Sequence, residues 1–366
     1  MTRPVAAPWP GAFEAVRERL ARILASVPVA GAQLCVSRGG TPLLNAALGE
    51  ARTGTPMATD SVVYWSCAGK PLLATALATL VDEGGIRFAD PVARHLPEFA
   101  ANGKEAVTVA DVLSHAGGFR HFEGPGPDRS DYADFVRRVL ALPLEPGWVP
   151  GGHQGYHQET GWYVLAALLE SALGQHYGTV VAERVCRPLA LRSTWATVPP
   201  PVHDGIRDRL AVPSFAGRQG LRRYPYLVSR AGARAKVPPY GFYGTMSDLA
   251  SFYEAALSGL RGPGPFPVSP PVLRAMAAPP RGRVPDRTWD YPCAMGLGYF
   301  CGLSDHNGFG GRWSDSSFGA SGRIGQVFGG ADPETGVVIA ASFGALAFDN
   351  GTKEALMDAL YAAALA

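Results

Sequence analysis

Strand patterns fall at the two ends of this 366-residue chain, and helical patterns fill the middle. Residues 31–37 and 41–47 read as two strands around Arg38-Gly39-Gly40, a hairpin signal. Strand character returns only late, at residues 325–329 and 336–343, separated by the turn Ala331-Asp332-Pro333-Glu334. This arrangement predicts an α/β domain built from both termini, residues 1–66 and 240–366, with a mostly helical domain, residues 67–239, inserted into it.

Residues 12–26 form an amphipathic pattern with Phe13, Val16, Leu20, Ile23 and Leu24 at helical spacing. A second helix follows Cys67, is apolar from Leu72 to Val81, and ends at Asp82-Glu83-Gly84-Gly85, where glycine supplies a stop. Residues 108–115 start a helix that Gly117-Gly118 breaks. Residues 131–141, 160–173 and 352–365 are further helices. Residues 199–239 are rich in Pro, Gly and Arg with little periodicity, and read as a long surface excursion that could serve as a lid or substrate-binding segment. Residues 263–285 read as a second such insertion.

Composition excludes several classes. Hydrophobic residues make up 47%, which rules out a disordered chain. A net charge of +2, with scattered arginines, gives no case for nucleic acid or an anionic membrane as partner. No apolar run approaches membrane-spanning length, and the start Met-Thr-Arg-Pro reads as lacking a signal peptide. The five cysteines are widely spaced without a CxxC pair, which argues against disulfides or zinc and for a reducing cytoplasm. His153 and His157 are four apart but lack the HExxH glutamate, so no metal is expected. Walker, GxSxG and GxGxxG motifs in a strand-to-helix context are missing, so no cofactor is expected either.

The chemistry centres on Cys67-Ala68-Gly69-Lys70-Pro71. A nucleophile three residues before a lysine on one helix shares its face, as an activated acyl-transfer nucleophile requires. Only four lysines occur, Lys70, Lys104, Lys236 and Lys353, so this pairing carries weight. A thiol attacks as thiolate, which a helix N-terminus and a nearby ammonium favour; a lysine made neutral by burial can instead remove the proton. Ser66 is four residues from Lys70 and competes for the role. A small buried cysteine with no chemistry has the same local spelling. Spacing alone leaves these readings open.

The surrounding stretches decide between them by resemblance. WSCAGKPLLATALATLVDEGGIR (residues 65–87) resembles the active-site helix of the β-lactamase-like serine hydrolases, which include class C β-lactamases, D-Ala-D-Ala carboxypeptidases, esterases and transacylases. FADPVARHLPEF (88–99) is similar to the family's D-x-P-V-x-x-x-L-P segment, and VTVADVLSHAGGF (107–119) to its L-L-S-H-T-S-G segment. ESALGQHYGTVVAERVCRPLALRST (170–194) and YGFYGTMSDLASFYEAALSG (240–259) resemble two more of its segments, in the family's order. The resemblance implies a penicillin-binding-protein-like antiparallel sheet flanked by helices, with a mostly helical inserted domain.

Carried residue by residue, it implies that Cys67 stands at the usual nucleophilic serine, followed by Lys70. Tyr156-His157-Gln158, after Pro146-Gly147-Trp148, stands at the family's Tyr-x-Asn. Tyr156 is then the proton shuttle, and Gln158 replaces an Asn. Phe318-Gly319-Ala320-Ser321-Gly322 stands at the third element, usually Lys-Thr-Gly or His-x-Gly, with Ala320 where the cation belongs. That loss argues against a competent β-lactamase or carboxypeptidase. Ser321 offers a hydroxyl contact, and backbone N–H groups of Cys67 and near Gly322 and Arg323 would form the oxyanion hole. His115 falls in a structural segment of the family and is expected to anchor a loop. Arg222 and Arg223 offer either an anion contact or a solvated face.

The expected activity is acyl transfer through a thioester on Cys67, as a transacylase moving a small-molecule acyl group from an ester, thioester or amide to an amine, thiol or alcohol. Thioesters are comparatively good donors, which suits a cysteine at the serine position. An esterase or amide hydrolase with the same residues, and a catalytically degenerate binding protein on this scaffold, are the alternatives. A laboratory Ser-to-Cys replacement would give the same spelling.

Overall fold

The computed structural model describes residues 9–26, 30–122, 130–217, 220–322, 326–344 and 350–366. Among these residues, nine strands form one antiparallel sheet. In spatial order they are Thr55–Pro56, Thr41–Arg52, Gly31–Arg38, Val337–Ser342, Val327–Ala331, Phe318–Gly322, Phe300–Cys301, Tyr291–Met295 and Arg283–Asp286. The two chain ends meet at the centre, where Val36 pairs with Ile339 and Leu34 with Ala341. Gly39 and Gly40, with φ of 57° and 82°, make the tight turn of the first hairpin.

Alternation along the central strand shows why the sheet needs cover on both faces. Val337, Ile339 and Ala341 pack with Phe13, Leu20 and Leu360 under the terminal helices Glu14–Ala25 and Asn350–Leu365. Val338 and Ala340 face the opposite core, with Leu249 and Tyr253 of the helix Met246–Arg261. That core continues into the helices Lys70–Asp82 and Thr160–Leu173, which are buried from Lys70 to Leu80 and from Thr160 to Leu169. Helices apolar all round belong in an interior, and here they carry the site residues into it. No helix among the described residues is long and apolar enough to cross a membrane.

Several expectations need revision. The 199–239 excursion holds the helix Pro200–Ile206, the hairpin Ser214–Gly217 with Gly220–Arg223, and the turn Arg230–Ala233. The 263–285 insertion holds the helix Pro270–Ala277 and the strand Arg283–Asp286. Both helices begin with two prolines, which start helices as readily as they break them. The strand expected from residue 325 begins at Val327 and runs to Ala331; Gly325 lies outside the described residues. Arg283–Asp286, Tyr291–Met295 and Phe300–Cys301 are strands the sequence reading did not mark.

Candidate active site

Cys67 does not lie in the α-helix that carries Lys70. It sits in the preceding 3-10 turn, Ser66–Gly69, and the α-helix begins at Lys70. A 3-10 turn eclipses positions three apart, so the face shared by Cys67 and Lys70 is retained. Ser66 leaves that face, because its φ of 51° puts it in the left-handed region. Its Oγ lies 4.0 Å from Cys67 Sγ. Two close approaches fix the turn. A Cβ on Gly69 would stand 2.1 Å from Cγ of Phe242, and one on Gly322 would stand 2.0 Å from the Trp65 carbonyl oxygen. The strand Phe318–Gly322 therefore runs directly against the turn that carries Cys67.

Lys70 is 3% exposed. Its Nζ donates to Tyr156 Oη at 2.7 Å and to the Gln158 carbonyl at 2.8 Å. Cys67 lines the same cavity as Lys70 and Tyr156 and bears electrostatically on both. Burial holds the Lys70 amine below its ordinary value of 10.5, against the opposing pull of Cys67 and Glu159. Burial, then the electrostatic influence of Cys67, pushes the Tyr156 phenol well above 10. Both directions favour a neutral amine beside a neutral phenol. A neutral amine has two donors and one lone pair. Its donors go to Tyr156 and Gln158, which leaves the lone pair unused by either.

Cys67, Lys70, His115, Tyr156, Trp162, Gly298, Tyr299, Phe300 and Ala320 line a cavity of about 10 Å³, barely room for one water. Lys70 is the only one of these side chains that ordinarily carries a charge at neutral pH. Ala320 faces the cavity, so the third-motif position is in place and uncharged. Ser321 alternates with Ala320, is half-buried and is not among the lining residues. Gly322 lies against Trp65; Arg323, the other expected oxyanion residue, lies outside the described residues. Gln158 meets Lys70 through its backbone carbonyl, and its residue is exposed.

His115 accepts the His157 N–H on Nδ1 at 3.1 Å, and its ring lies 4.5 Å from that of Tyr156. It anchors the loop and also borders the cavity. His157 Nε2 accepts the N–H groups of Gly118 and Phe119 at 3.1 and 3.3 Å, and Nδ1 pairs with the Gly155 carbonyl at 2.7 Å. His153 Nδ1 accepts the Val149 N–H at 3.0 Å. Arg222 and Arg223 are exposed, and Arg223 donates to Thr53 Oγ1 at 2.9 Å, away from Cys67.

The sequence reading missed the support of Tyr156. Trp289 stacks on its ring at 4.5 Å, and Asp286 Oδ1 accepts its N–H at 3.1 Å. Asp286-Arg287-Thr288 has the spelling of an Asx turn, but nothing local tells which distant loop it holds.

The family model described as Beta-lactamase matches residues 16–363. Esterase EstB of Burkholderia gladioli is 31% identical over 276 residues, 66% of this chain and 67% of EstB. The esterase/beta-lactamase LipL of Mycobacterium tuberculosis is 27% identical over 339 residues, 85% of this chain and 76% of LipL. Among solved structures, a penicillin-binding protein homologue from Caulobacter crescentus superposes with a TM-score of 0.79 at 27% identity, over 98% of this chain and 99% of its own. The antiparallel sheet with flanking helices is thus the penicillin-binding-protein-like fold, and the chain belongs to the beta-lactamase family.

Proposed function

We propose that this protein transfers acyl groups through a covalent thioester on Cys67. The observation that carries the reading is the Lys70–Tyr156 hydrogen bond at 2.7 Å, with Cys67 lining the same cavity. Neutral Lys70 takes the Cys67 proton, and the thiolate sulfur attacks the acyl carbonyl. The backbone N–H of Cys67 and a donor at the end of the strand Phe318–Gly322 receive the oxyanion. As the intermediate collapses, the bond to the leaving group breaks. Tyr156 gives that group its proton and is reprotonated from the Lys70 ammonium. The proton of Cys67 ends on the leaving group, and the acyl group stays on sulfur. An amine, thiol or alcohol then attacks the thioester, its proton returning through Tyr156 and Lys70 to Cys67.

With Ala320 at the third-motif position, the site favours uncharged acyl groups over those bearing a carboxylate. Water as the acceptor makes the same site an esterase, a second reading that the esterase names of EstB and LipL support. Incubation with p-nitrophenyl esters of neutral acids, followed by intact-mass and peptide analysis, tests the proposal. One acyl adduct on Cys67 is expected, absent in Cys67→Ala. Discharge that requires an added amine, thiol or alcohol marks a transacylase, and discharge in buffer marks an esterase. No adduct with any donor favours a degenerate binding scaffold.

A further inference from the structure

Tyr156 lies in a stretch with no helix or strand of its own, so the chain near it does not fix its ring. A turn 130 residues further on does. Asp286, 1% exposed, accepts on one oxygen the N–H groups of Tyr156 at 3.1 Å, Thr288 at 2.9 Å and Trp289 at 3.0 Å. Thr288 Oγ1 donates to the Tyr156 carbonyl at 3.2 Å and accepts from Arg120 Nη1 at 2.8 Å. The Arg287 N–H donates to the Gln154 carbonyl at 2.9 Å. Both polar groups of the Tyr156 backbone are therefore tied to one turn, and that turn also delivers Trp289 to the ring. Lys70 Nζ stands 4.5 Å from the centre of the same ring.

We propose that Asp286 is the positioning residue for Tyr156, holding the phenol against Lys70 and Cys67 through the Tyr156 peptide. The proposal rests on the acyl-transfer reading for its kinetic consequence and on geometry alone for its structural one. A carboxylate suits the place, because three N–H groups converge on one oxygen and a carboxylate oxygen is the strongest acceptor available. A misplacement near 1 Å in a catalytic group slows a reaction by up to about 100-fold.

The test compares wild type with Asp286→Ala and Asp286→Ser, each also in a Tyr156→Phe background. Serine can still accept the local N–H groups of the turn but is one atom too short to hold Tyr156, so it protects against a variant that merely fails to fold. Acylation by a p-nitrophenyl ester should slow about 10- to 100-fold in both variants with KM little changed. No further loss should appear in the Tyr156→Phe background. Equal losses in both backgrounds, or no loss at all, overturn the proposal. A second readout is independent of turnover: the near-ultraviolet circular dichroism of the Tyr156–Trp289 stack, defined as the signal lost in Tyr156→Phe. Asp286→Ser should lose that signal, and its retention overturns the proposal even if wild type forms no adduct. A missing wild-type adduct with a lost stacking signal sinks the acyl-transfer reading and leaves the positioning role standing.

Discussion

Lys70 Nζ lies 2.7 Å from Tyr156 Oη, and burial pushes each group toward its neutral form. The pair is thus arranged to accept a proton rather than to carry a charge. A cation there would have to be stabilised in a cavity walled by Trp162, Tyr299 and Phe300.

Under the proposed acyl-transfer mechanism, that relationship sets the pH dependence of acylation. In the proposed mechanism the working form of Lys70 is the free amine, and burial holds that amine below 10.5. Acylation should climb as pH rises through that lowered value, giving an acid limb. Lys70→Met should remove the limb and slow acylation about 10²- to 10⁴-fold. Stability moves in the same direction. Between the folded and unfolded values the unfolded chain binds the extra proton, so stability rises with pH there and is penalised below it. Melting temperature against alkaline pH should be flatter in Lys70→Met than in wild type.

Thiol chemistry should single out one cysteine. Burial pushes Cys35, Cys186, Cys293 and Cys301 each up to about 12, which keeps them protonated and slow at neutral pH. One equivalent of iodoacetamide should therefore label Cys67 first, and a bound acyl donor should protect it. Peptide mapping checks this, and earlier labelling of Cys186 or Cys301 would count against Cys67 as the nucleophile.

The parts of this molecule legible in sequence are those whose signals are local. The helix Thr160–Leu173 is announced by a continuous apolar run and by Gly174, which adopts φ of 63° at its end. Cys67 and Lys70 stand within one turn, so their spacing carries their geometry. Tyr156 was legible through the order of motifs around it. Asp286 and Trp289 were not, because their contacts cross about 130 residues and their own spelling is that of an ordinary turn. The strands around them are two to five residues long, too short for alternation to show, and two of them hold a proline.

Gly322 tests how closely the strand Phe318–Gly322 must approach Cys67. Its missing Cβ leaves room for the Trp65 carbonyl, a backbone atom that cannot swing aside. Gly322→Ala should cost roughly 1–3 kcal/mol by overpacking and displace the Ser66–Gly69 turn. Denaturant unfolding should show the lost stability, and acylation should fall further than stability alone explains. Wild-type acylation in this variant would show that the strand can move without cost to the site.

Acid should weaken the fold through His157 before it reaches the carboxylates. This imidazole is fully buried, and burial pulls it down to about 3. Its Nε2 accepts two backbone N–H groups, from Gly118 and Phe119, so a proton placed there would face two donors. In the unfolded chain the same imidazole takes a proton near 6.5. Between about pH 6.5 and pH 3 the unfolded state therefore binds one more proton, and stability falls as pH falls, by up to about 1.4 kcal/mol per pH unit. His306 and His176, both lowered to about 4, act in the same direction over a narrower range. His157→Gln keeps an oxygen acceptor for the loop and removes the titration. Its stability at pH 7 should be lower than wild type, and its loss between pH 6.5 and pH 4 should be smaller by the share of one proton. Parallel stability curves for the two proteins across that range would show that His157 is not held neutral by the fold.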